Sequence, residues 1–394
     1  MVDVFRTKNE YGEGEVRSWA SLLDYNCRLQ AEAISRVPIM DGYLALMPDA
    51  HHGFGPPVGS ALITVDAVMP YAVGVDIGCG MMAVLTNIQR SELAGTEKEI
   101  LKGIERAIPS HAHERPLPQF DEFIANAGWP LCVDELRSNL KDTAATQFGT
   151  LGGGNHFVEL SRDHHRDKVA MVLHSGSRGV GNQIGTHYVK IAKQECEARG
   201  VPLESKDFAW LQRGTDSYDA YLHDMMWAQN YAFWQREAMM DQFVAVIGGH
   251  VDRDFISDQR VNCHHNYAEE LGPGKWLTRK GAIDASVGKL GIIPGSMGTD
   301  TYIVRGRGNA EAYNTSPHGA GRLMARGVAK QKLDVELFKL QMEEAGRTWL
   351  DDRPEALLDE APDAYKPIEV VIRDSRELIE QVSRLSAFIN YKGA

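Results

Sequence analysis

Glycine repeatedly interrupts the apolar runs of this chain: "PYAVGVDIGCGMMAVLT", "FGTLGGGNHFVEL" and "KVAMVLHSGSRGVGNQIGTHYVK" each join a strand-like stretch to a glycine-rich turn. Short apolar runs bounded by turn residues read as buried strands. The polar residues cluster at the turns, where Asp76, Cys79, His156 and His174 stand beside the glycines. Such a chain buries its strands and does its chemistry on loops.

Composition narrows the function classes. At 394 residues, 43% hydrophobic and 24% charged, the chain is of soluble globular type, large enough for two domains or one large α/β unit. Polar loops alternate with apolar strands throughout, which favours one composite domain over residues 1–394. No run reaches the ~18 apolar residues of a membrane helix, and "MVDVFRTKNEYGEGE" is no signal peptide, so a cytoplasmic protein with no membrane partner is expected. Five cysteines without a CxxC argue against a disulfide framework and leave any functional thiol as a ligand or nucleophile. The net charge of −12 speaks against loose, charge-driven nucleic-acid binding but is compatible with a local basic cleft.

Along the chain, a polar excursion is expected near residues 109–130, a helix from about Gln183, and a long helix over 217–243 whose aromatic and Met stripe belongs to the core. Glycine-punctuated strands follow over 280–307. Helices are expected over 317–346 and from Ser375 to about Leu385.

Asp76 and Cys79 would face opposite sides of a straight strand. Gly78 and Gly80 permit the bend that turns both one way. Alone, this pair reads rather as a buried thiol and a turn-capping carboxylate. The histidines shift the balance: "GGGNHF" supplies Asn155 and His156, "VLHSGSRG" supplies His174, and "NCHHNY" supplies His264, His265 and Asn266. Together they favour a shared metal site, in which a thiolate can bridge two cations ~3.5–4 Å apart, the spacing used for phosphoryl chemistry. Ligand type leaves zinc and manganese both open.

In "NTSPHGAGRLMARGVAK", Ser316 and Pro317 suit a helix start, which would put His318 among free N–H groups that attract anions. His318 and Arg322 would then share a face. Gly319 and Gly321 are poor helix formers and need a reason, either phosphate approach or tight packing. Arg178 in "HSGSRGVG" offers a second anion cradle. A histidine beside bound metal can act as a nucleophile toward a nucleotide phosphate.

Read together, "MPDAHHGFG", "GVDIGCGM", "GTLGGGNHFVEL", "LHSGSRGVGNQIGT", "NCHHNY", "TRKGA", "GIIPGSMG", "YIVRGRGN", "HGAGR" and the terminal "YKG" resemble the RtcB family of RNA-splicing ligases over nearly the whole chain. The resemblance implies an α+β fold of sheets packed together with helices around them. It implies a ligase dependent on GTP and two Mn2+ ions that joins an RNA 3′-phosphate or 2′,3′-cyclic phosphate to a 5′-hydroxyl, with archease as a potential activating partner. Carried over by position, Asp76, Cys79, His156, His174 and His265 are metal ligands, and His318 is the guanylylated residue. GTP contacts fall on Asn155, His156, Phe157, Val158, Glu159, His265, Asn266, Pro294, Gly295, Ser296, Met297, Thr301, His318, Gly319, Ala320, Gly321 and Lys392. Arg178 and Arg322 are the phosphate-binding arginines. The chain departs from the family pattern at Phe54, where a lysine is frequent, at Thr301 for serine, and at Pro317 for serine or cysteine. These departures leave open a paralogue specialised for particular broken RNA or DNA ends. A metallophosphoesterase using the same ions to activate water is the competing reading.

Overall fold

The computed structural model describes residues 1–136, 138–350 and 352–393 and is α+β. Its strands form two large sheets. The first runs in the order Asp3–Asn9, Gly12–Ser18, Leu44–His51, Val58–Val65, Lys275–Lys280, Asn266–Gly272. The second runs Ile256–His264, Gly80–Thr86, Lys168–Ser175, Phe157–Asp163, Ile379–Lys392, Thr301–Gly306, Leu290–Pro294. The short strand Thr348–Trp349 adds in parallel to Ile379–Lys392. Its two end strands, Ile256–His264 and Leu290–Pro294, approach each other, so the second sheet is nearly a barrel.

Alternation explains why both faces of that sheet are apolar. Met81, Ala83, Leu85, Ala170 and Val172 fill its interior with Ile292, Ile303 and Leu385. Their neighbours Met82, Val84, Val169, Met171 and Leu173 face outward against the helices. A period of two, buried on both faces, produces the near-continuous apolar runs of the sequence.

The long helix is Asp216–Gly248, begun by Thr215, whose side chain accepts from the Tyr218 N–H. It is a few residues longer than expected, and its aromatic and Met residues are core. The first half packs in one cluster through Tyr218, Tyr221, Trp227 and Tyr231, the second in another through Met239, Met240 and Phe243. The polar excursion near residues 109–130 contains a helix, Pro118–Ala127.

Three expectations need correction. The helix expected from Gln183 begins at Arg178. No helix begins at Ser316: Thr315–Pro317 is a strand paired with Ala282–Asp284, and helices return only at Arg326–Lys332 and Val335–Glu344. The anion site expected from a helix start at His318 therefore falls away, as does the helical face shared with Arg322. The reason lies at Gly321, which takes φ +75°, and any Cβ there would stand 2.1 Å from the Asp49 carbonyl oxygen. The glycine serves tight packing, and a left-handed residue ends helical geometry. Finally, the helix expected over 375–385 lies earlier, at Ile368–Asp374, and Ile379–Lys392 is a strand. That strand bonds to Thr301–Gly306 on one side and Phe157–Asp163 on the other, so two ladders override local propensity.

Candidate metal centre and nucleophile

Asp76 and Cys79 lie in a turn just before the strand Gly80–Thr86, and the turn closes with the Cys79 N–H on the Asp76 carbonyl at 3.2 Å. Gly78 takes φ +75°, and its Cβ would meet Ala232 at 2.8 Å on the long helix. At Gly80 a Cβ would stand 2.1 Å from the Cys263 carbonyl oxygen. Both glycines are thus required by close approach, and the bend they make brings carboxylate and thiol to one side.

Arg236 holds this turn from beneath. Fully buried on the long helix, its guanidinium donates to the carbonyls of Gly78 (2.8 Å) and Ser175 (3.0 Å) and to Asn262 Oδ1 (2.7 Å), and it meets His264 Nδ1 at 3.1 Å. Burial lowers its pKa to about 10. His264, unlike its neighbour His265, is therefore structural. Replacing Arg236 by Met would remove its hydrogen bonds to the Ser175 carbonyl and Asn262 Oδ1 and leave the Gly78 carbonyl with His264 Nδ1 alone, each buried acceptor deprived of its partner costing roughly 1–3 kcal/mol. The variant is expected to lose about 2–5 kcal/mol of stability, read as the denaturant midpoint; an unchanged midpoint would refute the assignment.

Above the turn, two groups of metal-ligating atoms share one thiol: Asp76, Cys79 and His156, and Cys79, His174 and His265, with the ligand atoms of each group within 4.8 Å of one another. Cys79 Sγ is 3.5 Å from His156 Nε2 and 3.3 Å from His174 Nε2. His156 Nε2 is 3.2 Å from Asp76 Oδ2, and the Nε2 atoms of His174 and His265 face each other at 2.9 Å. The other ring nitrogens of His156 and His174 lie 3.0 Å from the carbonyls of Leu151 and Asn155, which keeps the Nδ1–H tautomer and turns Nε2 inward. Asp76 Oδ1 and His265 Nδ1 are buried without a hydrogen-bond partner.

The electrostatics suit cations. Burial, then neighbouring histidines, hold His174 and His265 well below the usual imidazole range, so they are neutral and free to ligate. Burial, then Asp76, pushes the Cys79 thiol up. Burial would also raise Asp76, but the hydrogen bond and charge of His156, with Cys79 and Arg178, bring it down to about 2. A cation would displace the thiol proton. The donor set and the unpartnered oxygen and nitrogen fit a pair of metal ions.

His318 stands beside this cluster, its ring centroid 4.6 Å from that of His265. Its Nδ1 is 2.6 Å from Asp49 Oδ2, which also accepts from the His318 N–H at 3.2 Å. Asp49 is fully buried. The carboxylate holds the proton on Nδ1 and leaves the Nε2 lone pair free. Asp49 stands within "MPDAHHGFG", where nothing local shows that it meets a residue far along the chain.

Asp76, Cys79, His156, His174, His265 and His318 line one cleft of about 730 Å³. It also takes in Asn155, Phe157, Glu159, Asn266, Pro294, Gly295, Ser296, Met297, Thr301, Gly319, Ala320, Gly321 and Lys392. Val158 is the exception: by strand alternation its side chain packs in the helix-facing core and does not line the cleft. Burial raises Glu159 to about 7, opposed by Arg347, Asn390 and Lys392.

The two arginines differ. Arg178 adopts φ +61°, and its guanidinium lies where a Cβ on Gly152 would be, 1.7 Å from Nη1. Its side-chain contacts are long, 3.4 Å to Thr150 Oγ1 and 3.5 Å to His156 Nδ1, so it retains donors for an anion. Arg322 is already engaged, by Glu360, the Tyr365 hydroxyl (2.7 Å) and the Asp359 carbonyl (2.6 Å). Glu360 also pairs with Lys392. Arg326, which no local motif singles out, also reaches the cleft and donates to Asn155 Oδ1 at 3.2 Å.

Ligand atoms for two adjacent cations beside a carboxylate-oriented imidazole, on a curled sheet, define a metal-assisted phosphoryl-transfer enzyme as the class. Residues 30–393 match the family described as tRNA-splicing ligase RtcB. The chain is 36% identical to RNA-splicing ligase RtcB of Escherichia coli K12 over 393 residues, covering 94% of this chain and 95% of that protein. It is 27% identical to tRNA-splicing ligase RtcB of Archaeoglobus fulgidus, covering 90% and 88%, and 26% identical to that of Pyrobaculum aerophilum, covering 84% of each. This chain belongs to the RtcB family of RNA ligases. Among the described residues no helix is long and apolar enough to cross a membrane.

Proposed function

We propose that the chain, working as one catalytic unit, joins an RNA 3′-phosphate or 2′,3′-cyclic phosphate end to a 5′-hydroxyl end through a GMP adduct on His318. The observation that carries this reading is the oriented ring of His318 set against His265, a member of the paired ligand groups. Asp76, Cys79 and His156 would hold one Mn2+ and Cys79, His174 and His265 the other. Bound there, the cations would neutralise charge on the phosphoryl groups being transferred.

His318 Nε2 attacks the α-phosphorus of GTP and pyrophosphate leaves. Asp49 offsets the charge that develops on the ring. An oxygen of the RNA 3′-phosphate then displaces His318 from the α-phosphorus. Finally the 5′-hydroxyl attacks the 3′-phosphorus, GMP leaves, and the hydroxyl proton is lost to solvent. A cyclic end is opened by hydrolysis first. Arg178 is the arginine best placed to take a phosphate, while Arg322 orders Glu360 and Lys392 on the nucleotide wall. Glu159 suits guanine, whose edge offers two adjacent N–H donors to a carboxylate. An archease-type activator belongs to the same reading.

The test is incubation with α-labelled GTP and Mn2+, followed by RNA ends. An acid-labile, alkali-stable protein adduct and joined RNA are expected. Release of phosphate from RNA ends without an adduct would replace the ligase with a binuclear phosphoesterase. Equal or better joining of the same ends on DNA would identify a specialised paralogue.

A further inference from the structure

One wall of the cleft has no part in the reaction as described. Phe54 lies in the loop between the strands Leu44–His51 and Val58–Val65 and is 76% exposed, although it lines the cleft. A lone exposed apolar ring is unremarkable in itself. Here, however, the ring lies nearly parallel to that of Tyr71, with centroids 6.5 Å apart and planes at 19°.

The loop is also held firmly. Lys280 Nζ donates to the carbonyl of Phe54 and to that of Tyr71 (3.0 Å), and Gln30 donates to the carbonyls of Gly53 and Gly55. Gly55, at φ +65°, lets the loop close on Tyr71, whose Cβ would stand 2.8 Å from a Cβ there. An exposed aromatic on a braced loop is a pre-organised surface for a flat ligand.

Its position names the ligand. Lys280 is followed by Gly281, where a Cβ would come within 3.0 Å of His318 Cε1, so two consecutive residues tie the aromatic wall to the nucleophile. On the proposed ligase reading the guanine of GTP is assigned to Glu159 and Lys392, which line the same cleft. The terminal bases of the RNA ends are the other flat groups the reaction brings in, and aromatic side chains bind such bases by stacking regardless of sequence.

We propose that Phe54, backed by Tyr71, is the stacking platform for the base of the nucleotide that carries the reacting 3′-phosphate, an inference that rests on the ligase reading. The test is equilibrium binding of a short single-stranded RNA with a 3′-phosphate, its last nucleotide either intact or abasic. Phe54→Ala is expected to weaken binding of the intact RNA by roughly 10-fold, and Phe54→Trp to restore it. The abasic RNA should bind the unaltered protein about 10-fold more weakly, with less than about a 2-fold further loss in Phe54→Ala, because the two changes remove one interaction. Unchanged affinity in Phe54→Ala, an equal loss with the abasic RNA, or no measurable binding by the unaltered protein overturns the proposal. GMP labelling of the unaltered protein is scored separately: a missing adduct with the stacking signature present refutes the ligase reading alone.

Discussion

His318→Ala is expected to abolish the GMP adduct and to lower joining of RNA ends by at least about 10³-fold, because His318 is the imidazole that a carboxylate on Nδ1 orients beside the paired ligand groups. The structure also separates the nucleophile from its support. In Asp49→Asn the amide can donate to Nδ1, which moves the ring proton to Nε2 and blocks the attacking lone pair, so labelling slows by roughly 10²–10⁴-fold. The 2.6 Å contact between Nδ1 and Asp49 Oδ2 is the basis for that expectation. Rates of label incorporation, measured beside thermal unfolding, distinguish a wrong tautomer from a misfolded loop. Full labelling in His318→Ala would end the mechanism.

Cys79→Ser is expected to empty both metal positions, whereas His156→Ala and His265→Ala each empty one. This follows from the sharing: Cys79 belongs to both ligand groups, His156 only to the first and His265 only to the second. Serine is a far poorer anionic ligand than cysteine at neutral pH, and affinity should fall by roughly 10²-fold or more. Elemental analysis of manganese-loaded protein should read two ions per chain for the unaltered protein, near none for Cys79→Ser, and one for each histidine variant. Two ions retained by Cys79→Ser would remove the thiol from the site.

The corrections show where local reading stops. "TSPHGAGR" has the residues of a helix start, yet Thr315–Pro317 pairs as a strand and Gly321 closes on Asp49. Residues 375–385 look helical alone, yet two neighbouring strands claim most of the backbone of Ile379–Lys392. In both places long-range hydrogen bonds, invisible in a window of ten residues, outweigh propensities of a few tenths of a kcal/mol per residue.

The sequence by itself determined which residues could carry chemistry. Glycine marks turns through its backbone freedom, and Asp, Cys and His beside such turns are restricted in what they can be for, so Asp76, Cys79, His156, His174, His265 and His318 were all legible. Only the tertiary structure decided how they come together: that Cys79 belongs to both ligand groups, that His318 leans on Asp49, that Arg178 keeps free donors while Arg322 is engaged, and that Arg236 holds the turn of Asp76 and Cys79 from below. Each of those facts is a contact between segments far apart in the chain. Such contacts depend on how whole sheets and helices are placed, and no local pattern of residues encodes that placement.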